Sequence, residues 1–309
     1  MLSFTSLEGL ERINISAVAL GSFDGVHVGH QAILHRAVSI AREVGGLSAV
    51  FTFHPHPGMV TGRNGSGTIT SRQQRCQLVE ACGIDVLIEH PFTAHFAALS
   101  PLQFLEEVLL KAFNAPNFVA GFNYTFGHQA AGDIALFKRF GRQHRFFVHE
   151  IAPVFVLGEI VSSTRVRRLI EQGELEAAAQ CLGRRFSLRG EVTVGDGRGR
   201  KLGFPTANVR LAPLQVLPPF GVYLVYAQKL GFGVANLGVR PTFPLASQGL
   251  EVHFLSPGQG LDLYGHDIEV ELVEYLRAER VFSGPEELRA QVEQDIARAR
   301  RLAYCNAKC

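Results

Sequence analysis

The sequence predicts an α/β protein in two parts, an open parallel sheet wrapped by helices followed by an antiparallel β domain closed by one helix. Three observations carry this expectation. Apolar runs alternate with helix-period segments up to about residue 183, and consecutive short strands take over from Phe186. A glycine-rich turn, Gly21 to His30 (GSFDGVHVGH), joins the first buried run to the first helical pattern.

At 309 residues the chain is long for a single core, so about two domains are expected. A hydrophobic content of 47% against 19% charged residues is that of a globular protein. The net charge of +2 and the lack of a basic run give no reason to expect a nucleic-acid partner. Five cysteines without a C-x-x-C pair read as reduced thiols in the cytoplasm. No basic leader with an apolar core and no long uncharged apolar stretch is present, so no membrane partner is expected. A homo-oligomer is compatible with all of this.

Taken in order, Ser16 to Leu20 is a buried strand, and Gln31 to Val44 is a helix with Ile33, Leu34, Ala37, Val38 and Ala41 on one face, stopped by Gly45-Gly46. Between them, Gly21, Gly25 and Gly29 let the backbone turn sharply and approach a ligand. His27 and His30 at a helix N-terminus can donate hydrogen bonds to phosphate oxygens where the helix dipole is positive. A zinc pair or surface histidines would be the alternatives for a bare H-x-x-H; the glycines and the strand-to-helix context favour a nucleotide.

Leu47 to Phe53 is the next strand, ended by His54-Pro55-His56-Pro57. Ser71 caps a helix to Cys82, Ile84 to Ile88 is a strand, Pro101 opens a helix to Phe113, and Phe118 to Ala120 is a strand. In such sheets ligands bind beyond the carboxyl ends of the strands, where the loops at Gly21, His54 and Gly121 should converge. Gly121 to Asp133 is too aromatic for an ordinary solvent loop. Ser162 or Ser163 should cap the helix Val166 to Gln172, gathering hydroxyls and arginines at an anion site, and a further helix runs from Glu174 to Leu182. Beyond it lie candidate strands 186–194, 221–228, 232–237, 250–255 and 268–276 and a helix over 285–302. This pattern suits a barrel or a sandwich. In the strand LEVHFL, Glu251 shares a face with His253 and Leu255, opposite Leu250, Val252 and Phe254. The segment Gly195 to Asn208 (GDGRGRKLGFPTAN) has the glycines, cations and rigid Pro-Thr turn of a loop that closes over phosphates.

These motifs resemble known families. GSFDGVHVGH is similar to the H-x-G-H signature of the nucleotidyltransferase superfamily in the form found in bacterial FAD synthetases, and the similarity extends to TFHPHP (52–57), to Asn123 and to SSTRVR (162–167). The second half resembles riboflavin kinase in GRKLGFPTAN, in GVY, in NLGVRPTF (236–243) and in DLYG (262–265). Together they resemble the bifunctional riboflavin kinase and FAD synthetase family over essentially the whole chain.

The resemblance implies a Rossmann-like adenylyltransferase domain over residues 1–183 and a β-barrel riboflavin kinase domain over 184–309. It implies riboflavin, FMN, FAD and ATP as substrates and products, and Mg2+ as cofactor. It implies nucleotide contacts at Gly21, Phe23, Asp24, Gly29, Asn123, Ser163, Thr164, Arg167, Gly203, Thr206 and Asn208. His27 and His30 are the implied catalytic groups of adenylyl transfer, Thr206 and Asn208 the implied metal-holding pair, and Glu251 the implied base of phosphoryl transfer. Two positions depart from the pattern: Ser256 to Gly260 replaces a commonly acidic-aromatic segment, and Arg75 stands where lysine is common.

Overall fold

The structure is a computed structural model that describes residues 1–60, 62, 67–113, 115–195, 199, 203–212, 214–240, 247–255 and 263–306. Its contacts divide the chain into two compact units, Met1–Val166 with Cys181–Gly183, and Arg167–Gln180 with Arg184–Cys309.

The first unit holds, in order, β1 (Leu2–Phe4), β2 (Ile15–Leu20), α1 (Val28–Glu43), β3 (Leu47–His54), α2 (Pro57–Val60), α3 (Arg72–Ala81), β4 (Val86–Pro91) and α4 (Ala94–Ala97). There follow α5 (Pro101–Gln103), which runs on as a π-helical stretch Phe104–Leu110, then β5 (Asn117–Gly121), α6 (Ile134–His144), β6 (Phe147–Ile151) and a small hairpin of β7 (Phe155–Val156) and β8 (Glu159–Ile160). Strands β1 to β6 form one sheet in the order β1-β4-β3-β2-β5-β6, every pair parallel.

Parallel strands need crossovers, and the crossing helices bury both faces. Accordingly all six residues of β2 are buried. Ala17 and Ala19 pack under Ile33, Leu34, Ala37 and Ala41 of α1, while Val18 and Leu20 face the opposite cluster with Phe104, Phe113, Phe118 and Phe137. The chain leaves β2 in one direction along the sheet to β3 and returns on the other side at β5. The crevice between the carboxyl ends of β2 and β5 is therefore the topological switch point.

The helix expected from Gln31 begins three residues earlier, because His27 rather than a later residue supplies its N-cap. Ser71 caps α3 as expected, in a full capping box with Gln74. Elements outside the sequence reading include the short edge strand β1, the edge strand β6 with His149 and Glu150 in it, α6 behind its Asp133 cap, the short helices α2 and α4, and the β7–β8 hairpin.

From Ser163 the helices α7 (Ser163–Glu171) and α8 (Leu175–Leu182) lead to six strands, β9 (Ser187–Thr193), β10 (Ala207–Leu211), β11 (Gly221–Ala227), β12 (Gly231–Arg240), β13 (Ser247–Phe254) and β14 (Asp267–Arg277). They close into an antiparallel barrel in the order β10-β13-β12-β11-β14-β9. The barrel, not the sandwich, is the solution adopted. Strand β10 was not expected, since the sequence reads as a Pro-Thr-Ala-Asn turn just where the strand begins.

The last helix, α9 (Pro285–Asn306), lays Ile296, Ala299 and Ala303 on Val222, Leu224, Val234 and Leu276. Arg277 on β14 fixes it with a forked pair to Asp295, Nε to both carboxylate oxygens at 3.0 Å and Nη2 to Oδ2 at 2.7 Å.

At Gly190 the barrel admits no side chain, because a Cβ there would lie 2.0 Å from the Arg210 carbonyl oxygen on the paired strand. Gly190→Ala must push β9 from β10, and the expected loss is about 1–3 kcal/mol, the usual cost of overpacking. Urea unfolding of the full chain measures it; an unchanged midpoint would mean that the backbone yields freely there.

Candidate active sites

The turn between β2 and α1 is held open against its own preference. Phe23 (φ 51°), Gly25 (φ 81°) and Val26 (φ 40°) are all left-handed, and for the two side-chain-bearing residues that conformation costs roughly 1–2 kcal/mol each. Neighbouring groups impose it. Phe23 is fully buried. The Asp24 carboxylate accepts from the backbone N–H of Ile69 at 2.9 Å and of Thr70 at 3.3 Å. The Gly25 N–H donates to Thr70 Oγ1 at 3.2 Å, and Gly25 lies so close to Ile69 that a Cβ would meet it at 2.9 Å.

The carboxyl ends of β2, β3 and β4 are tied together by a buried ion pair. Arg75 of α3 and Glu89 of β4 are 6% and 2% exposed, with Nη2 and Oε1 2.6 Å apart. Arg75 also donates to the carbonyls of Ser22 at 3.3 Å and Phe53 at 3.0 Å, and Thr52 Oγ1 donates to the same Ser22 carbonyl at 3.1 Å. Arg72 Nε reaches the other Glu89 oxygen at 2.8 Å. Burial pushes the Glu89 carboxyl up, and the hydrogen bonds and charges of both arginines outweigh it, so its pKa lies below the usual carboxylate value.

At the start of α1, His27 Nδ1 accepts from the His30 N–H at 3.2 Å, which puts the proton of a neutral His27 on Nε2. The two imidazoles stack at 3.6 Å. His30 Nδ1 is buried and has no hydrogen-bond partner among the described residues. Burial, then the neighbouring His27 and His56, hold the His30 pKa well below the usual imidazole value.

These groups border a cavity of about 660 Å3 at the switch point. Gly21, His27, Gly29, His30, Asn123, Ser163 and Thr164 line it, with Phe53, Phe92, Phe96, Phe122, Tyr124 and Phe126 as an aromatic wall. Ser162 Oγ accepts from the Arg165 N–H at 3.2 Å and so caps α7, leaving Ser163 Oγ to donate to the Asp24 carbonyl at 2.9 Å. Arg165 is not a ligand group: its Nη1 donates to the carbonyls of Val156 and Glu159 in the β7–β8 hairpin. The arrangement offers two helix N-termini, two imidazoles and an apolar slot to a flat, phosphate-bearing ligand.

On the barrel, pairing register sets Asn208 of β10 directly across from Glu251 of β13, and Glu251 directly across from Asn236 of β12. Leu250, Val252 and Phe254 are buried while Glu251 is exposed, the alternation the sequence predicts. His253 Nδ1 lies 3.0 Å from the Pro205 carbonyl, and its ring meets Phe204 edge-on, which fixes the approach to Thr206. Two glycines make room: a Cβ on Gly195 would lie 2.2 Å from Asn208 Nδ2, and one on Gly199 3.0 Å from Thr206 Oγ1.

Phe23 and Asp24 do not line the cavity; one fills the core beneath the loop, and the other spends its carboxylate on backbone N–H groups. Arg167 is buried one turn into α7 and Gly203 is exposed at φ 90° beside the Phe204 turn. Ser256 to Gly260, Asp262 and the RPTF residues 241–243 lie outside the described residues. The sequence reading missed the Arg75–Glu89 pair. Its signal was a carboxylate at the end of the apolar run Val86 to Ile88.

Comparison with known proteins gives a consistent result. Residues 11–165 match a family described as FAD synthetase, and residues 182–303 one described as riboflavin kinase. A bifunctional riboflavin kinase/FMN adenylyltransferase from Bacillus subtilis is 37% identical, covering 93% of this chain and 92% of its own, and one from Escherichia coli K12 is 35% identical, covering 92% of each. A crystal structure described as a macrolide-efflux protein from Streptococcus pneumoniae superposes with a TM-score of 0.84 at 29% identity, over 97% of this chain and 98% of that one. Among the described residues no helix is long and apolar enough to cross a membrane.

The depressed His30 pKa sets a pH dependence of stability. Below the ordinary imidazole value of about 6.5 the unfolded chain takes up a proton that the folded chain refuses, so stability falls as pH drops from there towards the folded pKa. His30→Gln should flatten that part of the curve. Urea unfolding between neutral and mildly acidic pH tests it, and equal slopes for the two proteins would contradict the assignment.

Proposed function

Because the chain belongs to the bifunctional riboflavin kinase/FMN adenylyltransferase family, we propose that adenylyl transfer occurs in the switch-point cavity and phosphoryl transfer on the outer face of the barrel. The enzyme phosphorylates riboflavin to FMN with ATP, then adenylylates FMN with a second ATP to give FAD and pyrophosphate. We assign the second step to residues 1–183 and the first to 184–309. The observation that carries the cavity assignment is the stacked His27–His30 pair at the N-terminus of a 16-residue helix, facing an aromatic slot.

The FMN phosphate is already anionic, so its attack on the α-phosphorus of ATP needs no base. What the transfer needs is stabilisation of charge on the bridging and leaving oxygens. The His27 Nε2–H, the His30 imidazole and the N-termini of α1 and α7 supply it, with Ser163, Thr164 and Asn123 positioning the nucleotide. His30 meets the phosphates as a neutral hydrogen-bonding group, and their charge then favours its protonation. Gly21 and Gly29 let the backbone approach closely.

In the barrel, Glu251 accepts the proton of the ribityl 5'-hydroxyl as that oxygen attacks the γ-phosphorus of ATP. The hydroxyl of Thr206 and the amide oxygen of Asn208 are hard, neutral donors, and so fit Mg2+ held mainly through substrate phosphates. When bound, Mg2+ neutralises phosphate charge. Asn208 and Gly203 are assigned to the nucleotide.

His30→Ala should slow FAD formation from FMN by about two to three orders of magnitude, the usual loss for a transition-state donor, and leave FMN formation intact. Equal loss of both activities would make His30 structural. Conversely, Glu251→Gln should lower riboflavin phosphorylation by roughly two to four orders of magnitude with a smaller change in riboflavin binding. FAD synthesis from supplied FMN should continue. Near-native phosphorylation by Glu251→Gln would remove the base assignment.

A further inference from the structure

We infer that Arg75, seated on Glu89 and assisted by Thr52, is a positioning residue for adenylyl transfer: it holds the Ser22 carbonyl and thereby the left-handed phosphate-binding turn. The inference rests on the reading that transfer takes place in the switch-point cavity.

The Ser22 carbonyl belongs to the peptide plane that enters Phe23, so its direction is coupled to the Phe23 φ of 51°. Two buried donors converge on that oxygen, Arg75 Nη1 at 3.3 Å and Thr52 Oγ1 at 3.1 Å. Thr52 is fully buried in β3, and Arg75 is fixed by Glu89 at 2.6 Å and by the Phe53 carbonyl at 3.0 Å. Neither side chain lines the cavity, but Ser22 and Phe53, whose carbonyls they hold, do, as does Gly21 next to Ser22. A guanidinium has the planar fork to reach a carboxylate and two carbonyls at once, whereas an ammonium is a single point of charge. Without the two donors, nothing at this carbonyl opposes relaxation of Phe23 towards ordinary backbone angles. Gly21 would then shift relative to His27 and His30.

A structural role and a positioning role make different predictions for the paired replacement Arg75→Met/Glu89→Leu. Replacing both members of a buried ion pair by apolar residues of similar size commonly keeps or raises stability, while the carbonyl loses its donor. The expected result is native-like thermal unfolding, unchanged riboflavin phosphorylation, and kcat for FAD formation from FMN reduced at least about tenfold, with KM for ATP and FMN within about threefold, as displacement of reacting groups produces. A stable double variant with native kcat overturns the proposal. Thr52→Val removes the other donor without touching any charge and should lower the same kcat by about threefold or more. If the double variant does not fold, Thr52→Val decides, and native kcat there overturns the proposal. His30→Ala tests the underlying site reading separately: full FAD synthesis by that variant would remove the cavity assignment itself, whatever Arg75 does.

Discussion

A guanidinium and a carboxylate buried together at the ends of three parallel strands are costly unless each satisfies the other and the remaining donors draw on nearby acceptors. Arg75 and Glu89 do so through the backbone of the strands they join, since both Arg75 terminal nitrogens also donate to Ser22 or Phe53, while its Nε has no hydrogen-bond partner among the described residues. The switch-point crevice is thereby built from elements that cannot drift separately. The sheet supplies direction, the ion pair supplies register at the strand ends, and the turn carrying His27 inherits both.

The two proposed sites are built by different means. In the first, helix N-termini and a stacked imidazole pair meet at one turn, and buried groups hold that turn in left-handed backbone. In the second, the strand pairing brings Asn208, Glu251 and Asn236 into one row. Glycine at positions 195 and 199 lets the backbone there lie close against Asn208 and Thr206. One site is built on electrostatics from the backbone, the other on a register of side chains.

What the sequence discloses follows from periodicity and local chemistry. The alternation of apolar runs and helical faces identified β2, β3, β4, β5 and their helices, and period-two alternation at Leu250 to Leu255 placed Glu251 outward. Edge elements such as β1 and β6 escaped because they are short or carry polar residues, as edges do. The Asp24 contact to Ile69 and Thr70 and the Arg75–Glu89 pair were not legible, since each joins residues distant in sequence through a single buried polar group. The Asp24 carboxylate faces backbone N–H groups, which stabilise its charge.

His27 caps the helix at whose N-terminus we propose that it donates to phosphate. Its Nδ1 closes the first turn of α1 and its Nε2 carries the only proton of the neutral ring, so one imidazole joins helix nucleation to chemistry. Substitutions that preserve the cap, such as asparagine, shorten the reach to the phosphates, and those that keep the reach tend to leave the helix end frayed. Evolutionary or designed change at this position is therefore confined by two unrelated demands on a single ring.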